Sequence, residues 1–278
     1  MKIIYTEKDI EGLVQKGVNS IKIQDQTVFT ELAYDAINRL GLTLIRETIN
    51  SDTTEYGSGK LARRDQSGDI RQQIVKINNE LYTLGLVTST GGNISARDPH
   101  HPEEIWITAG STFKGELKPE MVIRIDLQGE LLDHNSPYRA SSEKYVHTEI
   151  FKDRPEINAV IHTHAPQATT MALSKLEFLP ISFESAHLGP VYIAEFMPPG
   201  TIELGQTVAK AMRGGFAVVM QNHGLLTAGS SLRSATDATL VVEQTAKKLL
   251  TCHNLGILPP TLPPELVEKY RRMGQQNI

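Results

Sequence analysis

From residue 69 onward the apolar positions alternate between helical and strand spacing. Ile70, Ile74, Ile77 and Leu81 share one helical face and Gly85 follows as a terminator, which predicts an amphipathic helix. Short β-branched runs come next: residues 105–108 read as a strand, and 121–132 as strand segments about a turn at Gln128-Gly129. A helix is predicted to open at Ser141-Ser142-Glu143 and to run to 151. Ala159-Val160-Ile161-His162-Thr163-His164 is apolar and β-branched enough to be a buried strand. A helix over 166–174 follows, then strands over 180–183 and 191–196, a helix capped by Thr201 that ends at Gly214-Gly215, and a strand over 216–222 leading into Leu225-Leu226-Thr227. A long helix over 231–254 and a short one over 265–273, separated by Pro259-Pro260 and Pro263-Pro264, close the pattern.

Strands and helices alternate irregularly, and several strands adjoin as in hairpins. The expected fold is α/β, with a mixed, largely antiparallel central sheet sandwiched by helices rather than a parallel βαβ array. Residues 1–46 form a separate, small α/β extension. Thr6 with Asp9 is a capping-box start, Gly17 a stop, 20–24 a short strand, 29–40 a second helix closed by Gly41, and 42–45 an apolar run. Residues 47–68 are polar and rich in Gly, Ser and Thr, the composition of a linker, leaving 69–278 as the main domain. No internal repeat is evident.

Composition narrows the partners. A chain of 278 residues with 40% hydrophobic and 22% charged residues can bury a substantial core. A net charge of −4 gives no reason to expect nucleic acid or anionic lipid as a partner. No apolar run approaches the ~20 residues that span a bilayer, the N-terminus lacks a secretory pattern, and Cys252 is alone, which fits a reducing compartment. The expectation is a cytoplasmic protein.

The candidate chemistry centres on histidine. Side chains two apart on a strand point to one face, so His162 and His164 can present two imidazoles to one ion. His223 stands at the end of the strand 218–222, and three imidazoles with one open position are a common donor set for catalytic zinc. Spacing alone does not show that the three converge. His100, His101, His134, His187 and His253 read as ordinary surface or core residues. Read locally, Ser142 caps a helix, Gly91-Gly92 makes a tight turn, and Glu143 is a first-turn acid favoured by the helix dipole.

Gly92-Asn93-Ile94-Ser95, Ser141-Ser142-Glu143, Ile161-His162-Thr163-His164 and Gln221-Asn222-His223-Gly224-Leu225, in this order, resemble the class II aldolase/adducin family, and its fuculose-phosphate aldolases in particular. The resemblance covers about 70–273. It implies a cyclic homotetramer with active sites at subunit boundaries, zinc (or another divalent transition metal) on His162, His164 and His223, and Glu143 as acid/base that can also ligate the metal. It implies a phosphosugar substrate whose phosphate meets Gly92, Asn93, Thr108, Gly110, Ser111, Ser141 and Ser142. A zinc ion so held would act as Lewis acid on a ketose 1-phosphate and stabilise the enediolate left by aldol cleavage to dihydroxyacetone phosphate and an aldehyde.

Two departures stand out. The relatives carry Thr-Pro-Thr-Gly where this chain has Thr108-Ala109-Gly110-Ser111, with Lys114 close by, either adding charge or merely solvated. They also use a tyrosine after the strand that matches 180–183, where this chain has Phe183-Glu184; a C-terminal tyrosine falls at Met273, one helical turn from Tyr270. Glu184 and Tyr270 are therefore the candidate auxiliary acids. Epimerases, decarboxylases and dehydratases of the same fold, and the non-catalytic adducin head as an assembly module, are the alternatives the resemblance leaves open. Within the extension, Thr30-Glu31-Leu32-Ala33-Tyr34-Asp35-Ala36 resembles N-terminal segments of ethanolamine- and propanediol-utilisation proteins of bacterial microcompartments, which implies an assembly or targeting role beside the plainer one of packing.

Overall fold

The computed structural model describes residues 3–23, 27–40, 42–46 and 69–276, so the linker expected over 47–68 and Gly41 lie outside the described residues. The chain divides into two compact units, Met1–Arg64 and Asp65–Ile278.

The first unit contains β1 (Ile3–Tyr5), α1 (Glu7–Gln15), β2 (Ser20–Ile23), β3 (Thr27–Phe29), α2 (Glu31–Leu40) and β4 (Thr43–Arg46). The expected helix over 29–40 thus starts later, after a three-residue strand. The start of α1 is as its sequence foretells: the Asp9 carboxylate accepts from Thr6 N at 2.7 Å and from the Thr6 hydroxyl at 2.6 Å. At the start of α2, Thr30 Oγ1 accepts from Ala33 N at 3.2 Å. β1 pairs parallel with β3, Tyr5 opposite Phe29, and β2 pairs parallel with β4, Ser20 opposite Thr43. A strand–helix–strand module therefore occurs twice, and each strand pairs with its own counterpart. This corrects the reading that no repeat is present; its traces in sequence are Tyr5-Thr6-Glu7 against Phe29-Thr30-Glu31, and Gly17 against Gly41. Ile10, Ile21, Ala33, Ala36, Ile37 and Leu42 form the unit's core.

The second unit runs α3 (Ile70–Thr83), β5 (Asn93–Arg97), β6 (Glu104–Thr108), β7 (Val122–Asp126), α4 (Lys144–Asp153), β8 (Ala159–Thr163), α5 (Pro166–Leu173), α6 (Phe183–Leu188), β9 (Val191–Ala194), α7 (Ile202–Met212), β10 (Ala217–Met220), β11 (Gly224–Gly229), α8 (Leu232–Asn254) and α9 (Pro264–Gln276). Seven strands make one sheet in the order β7-β6-β5-β8-β11-β10-β9. Only β9–β10 is parallel; the other five pairings are antiparallel.

Strand alternation sends the two faces into two cores. Ala159 and Ile161 of β8, with Ala217, Val219 and Leu225, pack with the apolar faces of α3, α5 and α8. Val160, with Val218, Met220 and Leu226, packs with Val146, Ile150 and Phe151 of α4 and Leu204 and Val208 of α7. The sheet is sandwiched by helices, as expected. His162 is in phase with Val160, so it leaves β8 on the side where α4 begins.

Three local expectations are corrected. Residues 180–183 are not a strand: Ser182 caps α6, its hydroxyl accepting from Ser185 N at 3.3 Å. The segment 121–132 keeps only β7 as strand, with a single bridge from Ile125 to Leu131. The helix expected from Ser141 begins at Lys144, which makes Glu143 its N-cap residue. Among the described residues, no helix is long and apolar enough to cross a membrane.

Candidate active site

Three separate backbone devices deliver the histidines. His162 lies inside β8, fully buried, its Nδ1 3.2 Å from the Leu225 carbonyl that can accept its proton. β8 ends at Thr163, so His164 stands just beyond the strand instead of within it, fixed by donation of its N–H to Leu86 O at 2.9 Å. His223 sits in the turn between β10 and β11, where its N–H donates to Met220 O at 3.1 Å and Asn222 takes φ +61°, a left-handed conformation that asparagine tolerates better than most residues. The three rings converge: centroids are 5.1 Å apart for His162–His164, 4.9 Å for His162–His223 and 5.7 Å for His164–His223. One ring nitrogen from each lies within 4.8 Å of the others.

Glycines make room for the rings. A Cβ at Gly91 would collide with the His164 ring, and one at Gly224 would strike the Thr163 carbonyl and come within 2.9 Å of His162 Cε1. Beyond His164, Ala165 cannot cap α5; Glu243 of α8 does so instead, accepting from Gln167 N at 3.0 Å and Ala168 N at 2.9 Å.

Glu143 completes the cluster. Its carboxylate is 2.6 Å from His223 Nε2 and 3.2 Å from His162 Nε2. Burial alone would raise its pKa, but the approach of these two histidines outweighs burial and holds the carboxyl well below the usual range. Burial, reinforced by the neighbouring His162 and His223, pushes His164 down to about 4, so its imidazole is neutral at physiological pH. Among the described residues, His162 Nε2 and His223 Nδ1 are buried with no well-formed hydrogen bond, although the former lies near the Glu143 carboxylate, an arrangement that costs free energy unless something binds there. Three converged imidazoles beside a carboxylate are a donor set that fits a divalent transition metal.

On its other side Glu143 meets a hydrogen-bonded network. Asn93 Nδ2 donates to Glu143 Oε2 at 2.9 Å and to Ser141 Oγ at 3.2 Å. Asn93 Oδ1 meets His147 Nε2 in a very short contact, and His147 Nδ1 lies 2.7 Å from Ser95 Oγ. His147 is missing from the sequence reading; its signal is the one-turn spacing from Glu143 on α4.

The residues expected to bind phosphate are partly assembled. Gly92 takes φ +90° against the His162 carbonyl, and Asn93 is committed as described. The hydroxyl of Thr108 accepts from Ile94 N at 3.3 Å, and the N–H of Gly110 donates to Arg139 O at 3.0 Å. Gly110 and Ser141 pack so closely that a Cβ on Gly110 would be 3.2 Å from Ser141 Cα. Ser111, at φ +55°, and Ser142 are exposed. Lys114 is neither solvated nor aimed at solvent: it is 1% exposed, and Nζ donates to Ala109 O at 2.7 Å and Thr112 Oγ1 at 3.3 Å. Burial pushes its pKa down to about 8.

Glu184 and Tyr270 are not brought to the histidines within this chain. Tyr270 packs edge-on to Phe183, centroids 4.8 Å apart, where α6 meets α9, and Glu184 is exposed beside Ser182. A second cluster, Asp98, His101 and Glu104, is explained by structure alone: Asp98 accepts from two backbone N–H groups and Trp106 Nε1, and Glu104 pairs with Arg124.

Comparison with known proteins gives the family. Residues 72–250 match the class II aldolase and adducin N-terminal domain. The chain is 29% identical over 210 residues to a 5-methylthioribulose-1-phosphate/5-deoxyribulose-1-phosphate aldolase of Rhodospirillum rubrum, covering 74% of this chain and 92% of that one. It is 30% identical to a 5-deoxy-D-ribulose 1-phosphate aldolase of Bacillus thuringiensis serovar kurstaki, covering 74% and 97%. Among solved structures, an L-fuculose 1-phosphate aldolase superposes with TM-score 0.69 at 31% identity, covering 75% of this chain and 97% of the other. The chain belongs to the class II aldolase and adducin family, on its enzymatic side, among the lyases that cleave carbon–carbon bonds.

Proposed function

We propose that the protein is a zinc-dependent aldolase that cleaves a ketose 1-phosphate, fuculose-phosphate-like, into dihydroxyacetone phosphate and an aldehyde. The observation that carries this reading is the Glu143 carboxylate, held ionised 2.6 Å from His223 and 3.2 Å from His162 inside a converged histidine trio. An acid/base beside a three-imidazole donor set is what aldol cleavage needs, because charge develops on the ketose oxygens while a proton moves at carbon. The relatives named above act on ketose 1-phosphates with a deoxy or thioether end, which supports the same substrate class here.

His162, His164 and His223 would hold the ion, with Glu143 able to fill a further place. When bound, a divalent ion supplies Lewis-acid polarisation of the substrate's hydroxyl and carbonyl oxygens and offsets the negative charge that builds as the bond breaks. Glu143 carries the proton to or from the carbon next to the carbonyl. Ser141, Ser142, Gly92, Gly110 and Ser111 form the corner for the phosphate, where the start of α4 favours an anion. Glu184 and Tyr270 act, in this reading, on the active site of an adjoining subunit in a homotetramer, since neither reaches the histidines of its own chain.

The test is turnover of zinc-reconstituted protein on L-fuculose 1-phosphate, 5-deoxyribulose 1-phosphate and 5-methylthioribulose 1-phosphate, scored by release of dihydroxyacetone phosphate. An epimeric sugar phosphate, carbon dioxide or a dehydrated product in its place would mark a same-fold epimerase, decarboxylase or dehydratase. Failure to bind about one divalent ion per chain would mark an adducin-like module.

A further inference from the structure

We infer that His147, acting through Asn93, is the positioning residue that sets the orientation of the Glu143 carboxylate; the inference rests on the reading of Glu143 as acid/base. His147 follows Glu143 by one turn at the start of α4 and has no exposed surface. Its two ring nitrogens face different partners, Ser95 Oγ at 2.7 Å from Nδ1 and Asn93 Oδ1 against Nε2. A carboxamide oxygen only accepts, so Nε2 must carry the proton, and Nδ1 must then accept from the Ser95 hydroxyl. The tautomer is fixed by its neighbours.

The orientation of Asn93 is set independently, because the Glu143 carboxylate only accepts and so requires the amide N–H. Nδ2 therefore faces Glu143 Oε2, 2.9 Å away, and Ser141 Oγ, 3.2 Å away, which leaves Oδ1 toward His147. The flipped amide would set Oδ1 against the Glu143 carboxylate, oxygen against oxygen, which is repulsive. Donation thus runs in one direction, from Ser95 to His147 to Asn93 to Glu143, and each bond polarises the next toward the carboxylate. Burial supports the same state by pushing the His147 imidazole down to about 3, so the ring is neutral. Both amide N–H groups of Asn93 are thus directed inside the protein, to Glu143 and Ser141.

The direct test is the tautomer in the full-length, zinc-loaded protein labelled with ¹⁵N-histidine. At pH 7 the His147 ring nitrogens should give the neutral Nε2–H pattern; an Nδ1–H or imidazolium pattern overturns the proposal whatever the variants do. The kinetic test compares H147L with H147Q, whose amide places an N–H donor near the position of Nε2. H147L should lose roughly 10–100-fold in kcat, the range for groups that orient catalytic residues, with KM and zinc content nearly unchanged, and H147Q should recover most of that loss. Equal kcat for H147L and the parent, in a protein where E143Q abolishes turnover, overturns the positioning role alone. Full turnover by E143Q would instead overturn the reading of Glu143. If H147L does not fold, the tautomer measurement still decides.

Discussion

Asn93 pairs with His162 across the β5–β8 ladder while its side chain donates to Glu143 Oε2 at 2.9 Å. One residue therefore ties the strand that carries a histidine of the trio to the helix start that carries the carboxylate. Glu143 is held against the histidines by the sheet itself, so its exchange for an uncharged isostere should spare the architecture. E143Q is expected to keep most of its zinc, measured by mass spectrometry, and to lose on the order of 10²–10⁴ in kcat, the usual worth of a positioned acid/base.

The glycines beside the rings lead to a second prediction. A methyl group at residue 224 would meet the Thr163 carbonyl and the His162 ring, so backbone or imidazole must move. G224A should weaken zinc binding by about 10–100-fold, read from competition with a chelator, because donor geometry is lost while all three histidines remain. Wild-type affinity in G224A would mean that the site relaxes freely.

Lys114 gives the fold a pH signature. Its folded pKa of about 8 lies below the ordinary 10.5 of the unfolded chain, so between those values the unfolded state binds the extra proton. Unfolding then takes up a proton, and stability rises with pH across that window. Urea unfolding at pH 7.5 and 10 should show wild-type stability gaining up to about 3 kcal/mol relative to K114M, from ~1.4 kcal/mol per pKa unit. Parallel pH profiles for the two proteins would show that the Lys114 amine titrates in the folded protein as it does in the unfolded chain.

The second unit contains both cores that flank the seven-stranded sheet, and the family match lies wholly inside it. Removing residues 1–64 should leave a folded protein with unaltered zinc content and kcat. A collapse of solubility or melting temperature on removal would give the extension a packing role, whereas intact activity with altered particle size or location would favour assembly or targeting.

Much of the site could be read before the fold, and for a physical reason. His162 and His164 obey strand alternation closely enough that the ring positions follow even though the strand ends one residue early. The four motifs keep their order because each sits at the end of a regular element. What escaped was decided by side-chain environment or by very short elements. Lys114 looks like any surface lysine until two oxygen acceptors, of Ala109 and Thr112, are found around its ammonium. The apolar run at 180–183 mimics a strand, yet Ser182 and Ser185 form a mutual cap that commits the next residues to α6. His147 escapes strand spacing, because its relation to Glu143 is helical.

The duplicated N-terminal unit has a consequence for how it can be taken apart. Among the described residues β1 pairs only with β3 and β2 only with β4, so neither strand–helix–strand half contains a completed pair of strands by itself. Residues 3–23 and 27–46, supplied as separate peptides, should each lack stable structure and acquire it when mixed. Order in either half therefore depends on the presence of the other.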